Sequence, residues 1–429
     1  MNTMKIRKHL VLICILLVPF FLIACDHTVQ MDEIPAKSIF NRTQARLDQE
    51  ATVLRIFYGT IHNAPMMNAL VADYEELTGV RVEWTAADGG SLILRGLFAT
   101  DDAPDLFQLT ISDVPTWVDF LADLTEESWV SDVYDFSLKT VLVDERVYAW
   151  PHTLEASGIV YNRDLFEQAG IREVPRTLSE LMEVVSILDA AGIQSFGESW
   201  MEFGYLAHLL AVPFIYEPDL AYISNAILDG RASFGDLEYI TEYFDLFDAT
   251  MDYGWGQKSL GYNTLDQYPD FAAGKMAMMK QGTWVERSVL TFNPSLRIGL
   301  FPVPLSEDPL RNVLQVATTT AVGVNRNSEH LEEALAFLTW WHENAQKYLV
   351  EIDRVVPPFR SVDVAGLGPL IRDMERYIEA DQAFEGFGWE YWPQGFMVQL
   401  AEPIQAYAAG LQTREQTIQA LDQLYRTLR

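Results

Sequence analysis

The chain has 429 residues, 49% of them apolar, with 30 basic residues against 61 acidic ones and a formal net charge of −31. That length exceeds what one hydrophobic core serves, so two lobes are expected. So acidic a surface repels nucleic acid and anionic lipid headgroups and argues against both as ligands; the acids are spread along the chain and read as a solvated face.

Lys5, Arg7 and Lys8 make a basic start, and Leu10 to Ala24 follow without a charge. A basic region before a short apolar run describes a secretory leader, since a bilayer span needs about 20 apolar residues. Leu22-Ile23-Ala24-Cys25 closes the run and resembles a bacterial lipobox, whose Cys becomes the lipidated first residue of the mature protein. Residues 1–24 are therefore expected to be a lipoprotein signal peptide. Cys25 would be the lipidation site and hold the body on the extracytoplasmic face of the cell membrane; an uncleaved anchor is the competing reading. Cys14 and Cys25 are the only cysteines, so no disulfide and no Cys-based metal or nucleophile site is expected in the body. Residues 25–50 are polar, lack a sustained apolar period, and read as a flexible tether.

Folded sequence is expected from Val53, where Val53-Leu54-Arg55-Ile56-Phe57-Tyr58 alternates as a strand does. A helix fits Pro65 to Leu77, stopped by Gly79, and a strand fits Val80 to Trp84. Strand, helix, strand in this order is the parallel crossover unit of an α/β domain. Asp105 to Leu109 and Gly158 to Tyr161 read as further strands. Thr177-Leu178-Ser179-Glu180 is a capping box opening a helix with Leu181, Val184, Val185 and Leu188 on one face and Gly192 at its end. The stretch from Gly197 to Gly261 is helix-rich and aromatic. Ser328 is expected to cap a helix over Glu329–His342, with Trp341 in the core. Thr413 and Gln416 form a second capping box before a final helix.

The catalytic patterns tried are absent. There is no G-x-S-x-G, no H-E-x-x-H, and no pair among the seven histidines at ligand spacing. Ala272-Ala273-Gly274-Lys275-Met276 fails as a phosphate loop, because Pro269 stands where the first Gly belongs and Met276 where Ser or Thr belongs. No metal and no cofactor is expected. A glycosidase needs only two carboxylates, which 61 acids supply, so counting leaves that class open. The positive signal is aromatic: 11 Trp, 18 Tyr and 23 Phe, several beside Gly or Pro. Trp284 follows Gln281-Gly282-Thr283, and Trp389 and Trp392 stand in Phe387-Gly388-Trp389-Glu390-Tyr391-Trp392-Pro393. A ring so placed is exposed in a cleft about as often as it is core, and a flat ring in a cleft stacks on the apolar face of a sugar.

From Tyr148-Ala149-Trp150-Pro151-His152-Thr153-Leu154-Glu155 through Gly158-Ile159-Val160-Tyr161-Asn162-Arg163-Asp164-Leu165-Phe166, the sequence resembles the central signature of the family 1 extracellular solute-binding proteins. These are the carbohydrate receptors of ABC importers, with maltose-binding protein among them. Three further segments resemble the family in the expected order: Phe271 to Met279 running to Trp284, Ile298 to Pro304, and Val356-Pro357-Pro358-Phe359-Arg360. The resemblance implies an α/β, two-lobe periplasmic-binding-protein-like fold of type II. Each lobe would be a mostly parallel sheet flanked by helices, with the ligand cleft at the hinge. It divides the body into an N-terminal lobe of 51–153 with 303–353 and a C-terminal lobe of 154–302 with 354–429. Crossings are expected near Pro151–Ser157, Gly299–Pro304 and Val350–Pro357.

The implied function is a non-catalytic, monomeric receptor that hands a sugar, with an oligosaccharide favoured, to ABC permease subunits by closing on it. A secreted carbohydrate-active enzyme and a ligand-presenting sensor are the alternatives. Carried over residue by residue, Trp284 stands where the family often has a stacking Trp. Glu155 matches a hinge-proximal acid that accepts sugar hydroxyls or forms a hinge salt bridge. Tyr58 and His62 follow the first strand, Gln108 ends another, Arg360 sits in the late return segment, and Trp389 and Trp392 precede the final helices. The stretch from Met201 to Tyr268 matches weakly.

Overall fold

The computed structural model describes residues 52–59, 63–86, 90–100 and 102–428. The expected leader, Cys25, the tether and His62 lie outside them.

Strand β1 (Val53–Phe57) buries Leu54, Ile56 and Phe57 and exposes Arg55. Helix α1 (Ala64–Thr78) takes Pro65 in its first turn, where a missing N–H is harmless, and turns Met66, Met67, Leu70, Val71 and Tyr74 inward. It ends at Gly79, whose left-handed φ of 74° lets its N–H reach back to the Glu75 carbonyl. Strand β2 (Arg81–Thr85) then lies parallel to β1, and β3 (Leu106–Thr110) lies parallel on the other side.

The remaining sheet is built on β4 (Trp150–Asn162), a strand of thirteen residues. In chain order there follow α2 (Leu178–Ala190), α3 (Phe203–Leu210), α4 (Thr264–Ala272), β5 (Met278–Gly282), β6 (Ile298–Phe301), β7 (Leu314–Val324), α5 (Leu331–Glu343), β8 (Ala383–Glu385) and α6 (Arg414–Thr427). The sheet runs β2-β1-β3-β7-β4-β5, with β8 beside the start of β7 and β6 beside the end of β4. Pairing is parallel through β2-β1-β3 but antiparallel where β4 meets β5, β6 and β7. For β4 and β7 the reason is topological: the chain goes out along one and returns along the other, so the neighbours run in opposite senses.

Three apolar clusters fill the body. One surrounds β1 to β3 with Trp117, Trp129, Trp150, Phe337 and Trp341. The second holds Phe166, Leu181, Phe214, Phe234, Phe247 and Tyr425; the third holds Leu154, Val160, Met279, Leu300, Val316 and Leu370. Strand β4 begins in the first cluster at Trp150 and ends in the other two. Strand β7 runs the opposite way, from Leu314 and Val316 in the third to Val322 and Val324 in the first. The chain passes once more between Leu349, in the first, and Val350 and Val356, in the third.

The return passage thus lies within β7, not at Gly299–Pro304. Pro302 and Pro304 lack the N–H groups a ladder needs, so they end β6, and Val303 and Leu305 pack in the second cluster. Gly158 sits where β4 changes partner from β7 to β6; a methyl there would overlap the Phe301 carbonyl oxygen.

The expected caps differ in detail. Thr413 and Gln416 satisfy each other's backbone N–H groups as read. Thr177 accepts from Glu180 N at 3.1 Å, but the Glu180 carboxylate takes Arg176 N. Ser328 does not cap α5: it donates to Asp105 Oδ1 at 2.5 Å and accepts from His330 N, so the helix starts three residues later at Leu331. Trp341 is fully buried. No helix among the described residues is long and apolar enough to cross a membrane.

Candidate ligand-binding site

Strand β5 is buried along its whole length and stops at Gly282, after which the single turn Thr283–Val285 carries Trp284. Thr283 Oγ1 ties that turn to β4 by accepting from Ala156 N at 3.0 Å. The indole lies back over the end of its own strand. A methyl on Gly282 would overlap both the Trp284 ring and the Ala156 carbonyl oxygen, so only Gly leaves room. Three hydrogen bonds in series fix the ring further. Trp284 Nε1 donates to Gln281 Oε1 at 2.7 Å, Gln281 Nε2 to Gln267 Oε1 at 2.7 Å, and Gln267 Nε2 to the Gly197 carbonyl at 2.6 Å.

Helix α3 buries Leu206, Ala207, Leu209 and Leu210 and leaves Tyr205 and His208, three residues apart, half-buried on a shared side. The His208 ring is 4.8 Å from Trp284 at 33°, 4.3 Å from Trp389 at 68° and 5.0 Å from Phe387 at 74°. The segment carrying Phe387 and Trp389 follows β8. It turns against the end of α3 at Gly388, whose φ of 97° and close approach to the Ala211 carbonyl exclude other residues. Rings from two other stretches of sequence, half-exposed at Trp284 and Trp389 and buried at Phe387, thus meet around one imidazole.

Polar groups surround them. Ser157 Oγ is 3.1 Å from His208 Nδ1 and accepts from Lys280 Nζ at 2.6 Å. Burial, and secondarily the Lys280 charge, hold His208 well below the usual imidazole range, so the ring is neutral. Burial likewise lowers Lys280, against the opposing pull of Glu198, whose carboxylate accepts from Lys280 N. The same burial raises the Glu198 carboxyl. Glu155 on β4 is half-buried; burial pushes its carboxyl up to about 7, opposed by a hydrogen bond from Thr319. The Tyr205 and Tyr268 hydroxyls are 3.3 Å apart, and both are raised chiefly by burial and in part by the nearby Glu155 charge. Flat rings beside neutral donors and acceptors suit an uncharged, hydroxyl-rich ligand.

Of the expected site residues, the structure brings Glu155, Trp284 and Trp389 to this one surface. Trp392 stands behind it, packed on Phe214 at 5.3 Å and Phe396 at 5.1 Å as part of the second core. Tyr58 is fully buried: its hydroxyl pairs with His152 Nε2 at 2.7 Å and its ring packs on Trp341, so it belongs to the first core. Gln108 lies half-buried on β3 with its side chain across Gly59. Arg360 is exposed and clamps the late segment to residues 133–135, bonding the Val133 carbonyl and Asp135 Oδ1 and lying over the Tyr134 ring at 5.3 Å. His62 is outside the described residues.

Sequence reasoning missed Tyr205, His208, Tyr268 and Gln281. A His interrupting the apolar run from Leu206 was the available signal. Among the described residues no cluster of three His, Cys, Asp or Glu side chains is placed to hold a metal ion. A separate cavity of about 500 Å³ is lined by Arg163, Arg372, Asp373 and Arg376, and none of the residues around His208 lines it.

Residues 60–348 match the family model of the bacterial extracellular solute-binding proteins. The chain is 23% identical over 296 residues to the multiple sugar-binding protein of Streptococcus mutans, covering 64% of this chain and 67% of that one. It is 22% identical over 233 residues to the melibiose/raffinose/stachyose-binding protein MelE of Bacillus subtilis, covering 51% of this chain and 53% of that one. The matched stretch therefore spans about half to two thirds of these curated relatives. Among solved structures, the binding protein MsmE of Bacillus subtilis in an open conformation superposes with a TM-score of 0.75 at 20% identity, over 89% of this chain and 98% of that one. That likeness carries the fold, an α/β two-lobed architecture of type II. On the extent of the match, this chain belongs to the bacterial extracellular solute-binding protein family.

Proposed function

We propose that the protein is a lipid-anchored, extracytoplasmic receptor that captures an oligosaccharide between its lobes and delivers it to an ABC importer without transforming it. The observation that carries this reading is the half-exposed aromatic corner of Trp284, His208 and Trp389, with Glu155, Tyr205 and Tyr268 beside it. Rings stack on the C–H faces of a sugar while the carboxyl and hydroxyls bind its edges. The names of the relatives support the ligand class, since both are sugar-binding proteins. In this reading residues 51–153 with the second half of β7 through Leu349 make one lobe and the rest of the body the other, so that the return crossing falls inside β7 and not at residue 303. Cys25 carries the lipid, and the tether 25–50 gives the body reach to the permease.

Closure follows if the ligand touches both lobes only when they are shut, because it then favours that form by its differential affinity. Incubation of the full chain with melibiose, raffinose and stachyose tests the reading. A thermal shift with no new reducing ends is expected. New reducing ends would make it an enzyme, with the raised Glu155 carboxyl the candidate acid.

A further inference from the structure

Gln267 and Gln281 are both fully buried, so their amides must find partners inside the protein. The chain of bonds they make has one possible direction. It ends on the Gly197 carbonyl, which accepts and cannot donate, so Gln267 must present its nitrogen there and its oxygen to Gln281. Gln281 must then present its own oxygen to Trp284 Nε1. Turning the indole over would leave the Gln281 oxygen buried and unpaired. Its present seat exists because Gly282 carries no side chain.

Resting on the reading of Trp284 as the ligand platform, we infer that Gln281 and Gln267 are positioning residues, a one-way amide relay that fixes the Trp284 indole. With its N–H consumed by Gln281, Trp284 offers the ligand a ring face and no hydrogen-bond donor. Recognition at this position is therefore by stacking on apolar C–H groups, and specificity for hydroxyl pattern comes from the neighbouring Glu155, Tyr205 and Tyr268.

Gln281→Met keeps length and volume and removes the amide. In a ¹⁵N-indole spectrum of the full chain, with the Trp284 peak assigned by its absence in Trp284→Phe, the Gln281→Met peak is expected to move upfield and exchange faster with solvent. Gln267→Met does not touch Trp284 and is expected to move the same peak in the same direction by less. Raffinose affinity is expected to fall about tenfold in Gln281→Met, the usual consequence of orphaning one buried donor. An unmoved Trp284 peak in Gln281→Met overturns the relay. So does unchanged raffinose binding in Gln281→Met when Trp284→Ala loses it. If Trp284→Ala itself binds raffinose as the parent does, the platform reading fails instead, and the indole spectrum alone decides the relay.

Discussion

Gly282 and Trp284 are coupled by contact, since the indole occupies the space a side chain at 282 would need. Gly282→Ala is expected to push the ring off its seat, weakening sugar binding and lowering the melting temperature, because the Ala156 carbonyl blocks the methyl from the other side. Differential scanning calorimetry and sugar titration on one preparation read both effects. Glu155 gives a pH dependence whose sign follows from its raised carboxyl, at about 7 against an ordinary 4.5. The folded state binds this proton more tightly than the unfolded chain, so the group's contribution is fully present below pH 4.5 and is lost as pH rises through 7. Glu155→Gln removes the charge. The melting-temperature difference between variant and parent is expected to be small near pH 4.5, to grow in the variant's favour up to about pH 7, and to stay level above. A constant difference across that window would show that Glu155 is not buried as placed.

At the scale of elements, local chemistry was readable wherever one short-range rule decided the outcome. Alternation marked β1 and β2, and Gly79 and Gly192 ended their helices at positive φ. The length of β4 was not readable. Pro151, Thr153, Glu155 and Ser157 break the apolar pattern, and the strand persists because β7, β6 and β5 satisfy it from both sides. Ser328 failed as a cap because the distant Asp105 claimed its hydroxyl. The site divides in the same way. Trp284 and Trp389 announced themselves by their glycine neighbours, whereas Tyr205 and His208 acquire their role only where α3 packs beside β5 and the segment after β8. Two substitutions test the elements. Thr413→Ala removes one half of a complete capping box and is expected to cost about 1 kcal/mol in urea unfolding. Gly158→Val, at the point where β4 exchanges β7 for β6, is expected to cost about 1–3 kcal/mol or more by overpacking.

For the whole molecule, β4 and β7 are the structural fact on which the proposed function depends. They lie side by side, each runs from one core into another, and Glu155 sits on β4 between those ends. A second connection joins Asn63, at the start of α1, to the buried Asp353 at 2.8 Å, and Asp353 in turn to Arg287, three residues beyond Trp284. If ligand seats on Trp284, as proposed, it lies close to β4 and to the Arg287–Asp353 connection, where a small rotation would move both cores. Titration of raffinose into the full chain and into Trp284→Ala, followed by calorimetry, is the most direct measurement. Saturable one-site binding to the parent, weakened by about 1–3 kcal/mol in the variant for the loss of a buried aromatic contact, is the expected result. Equal affinities in the two proteins would contradict it.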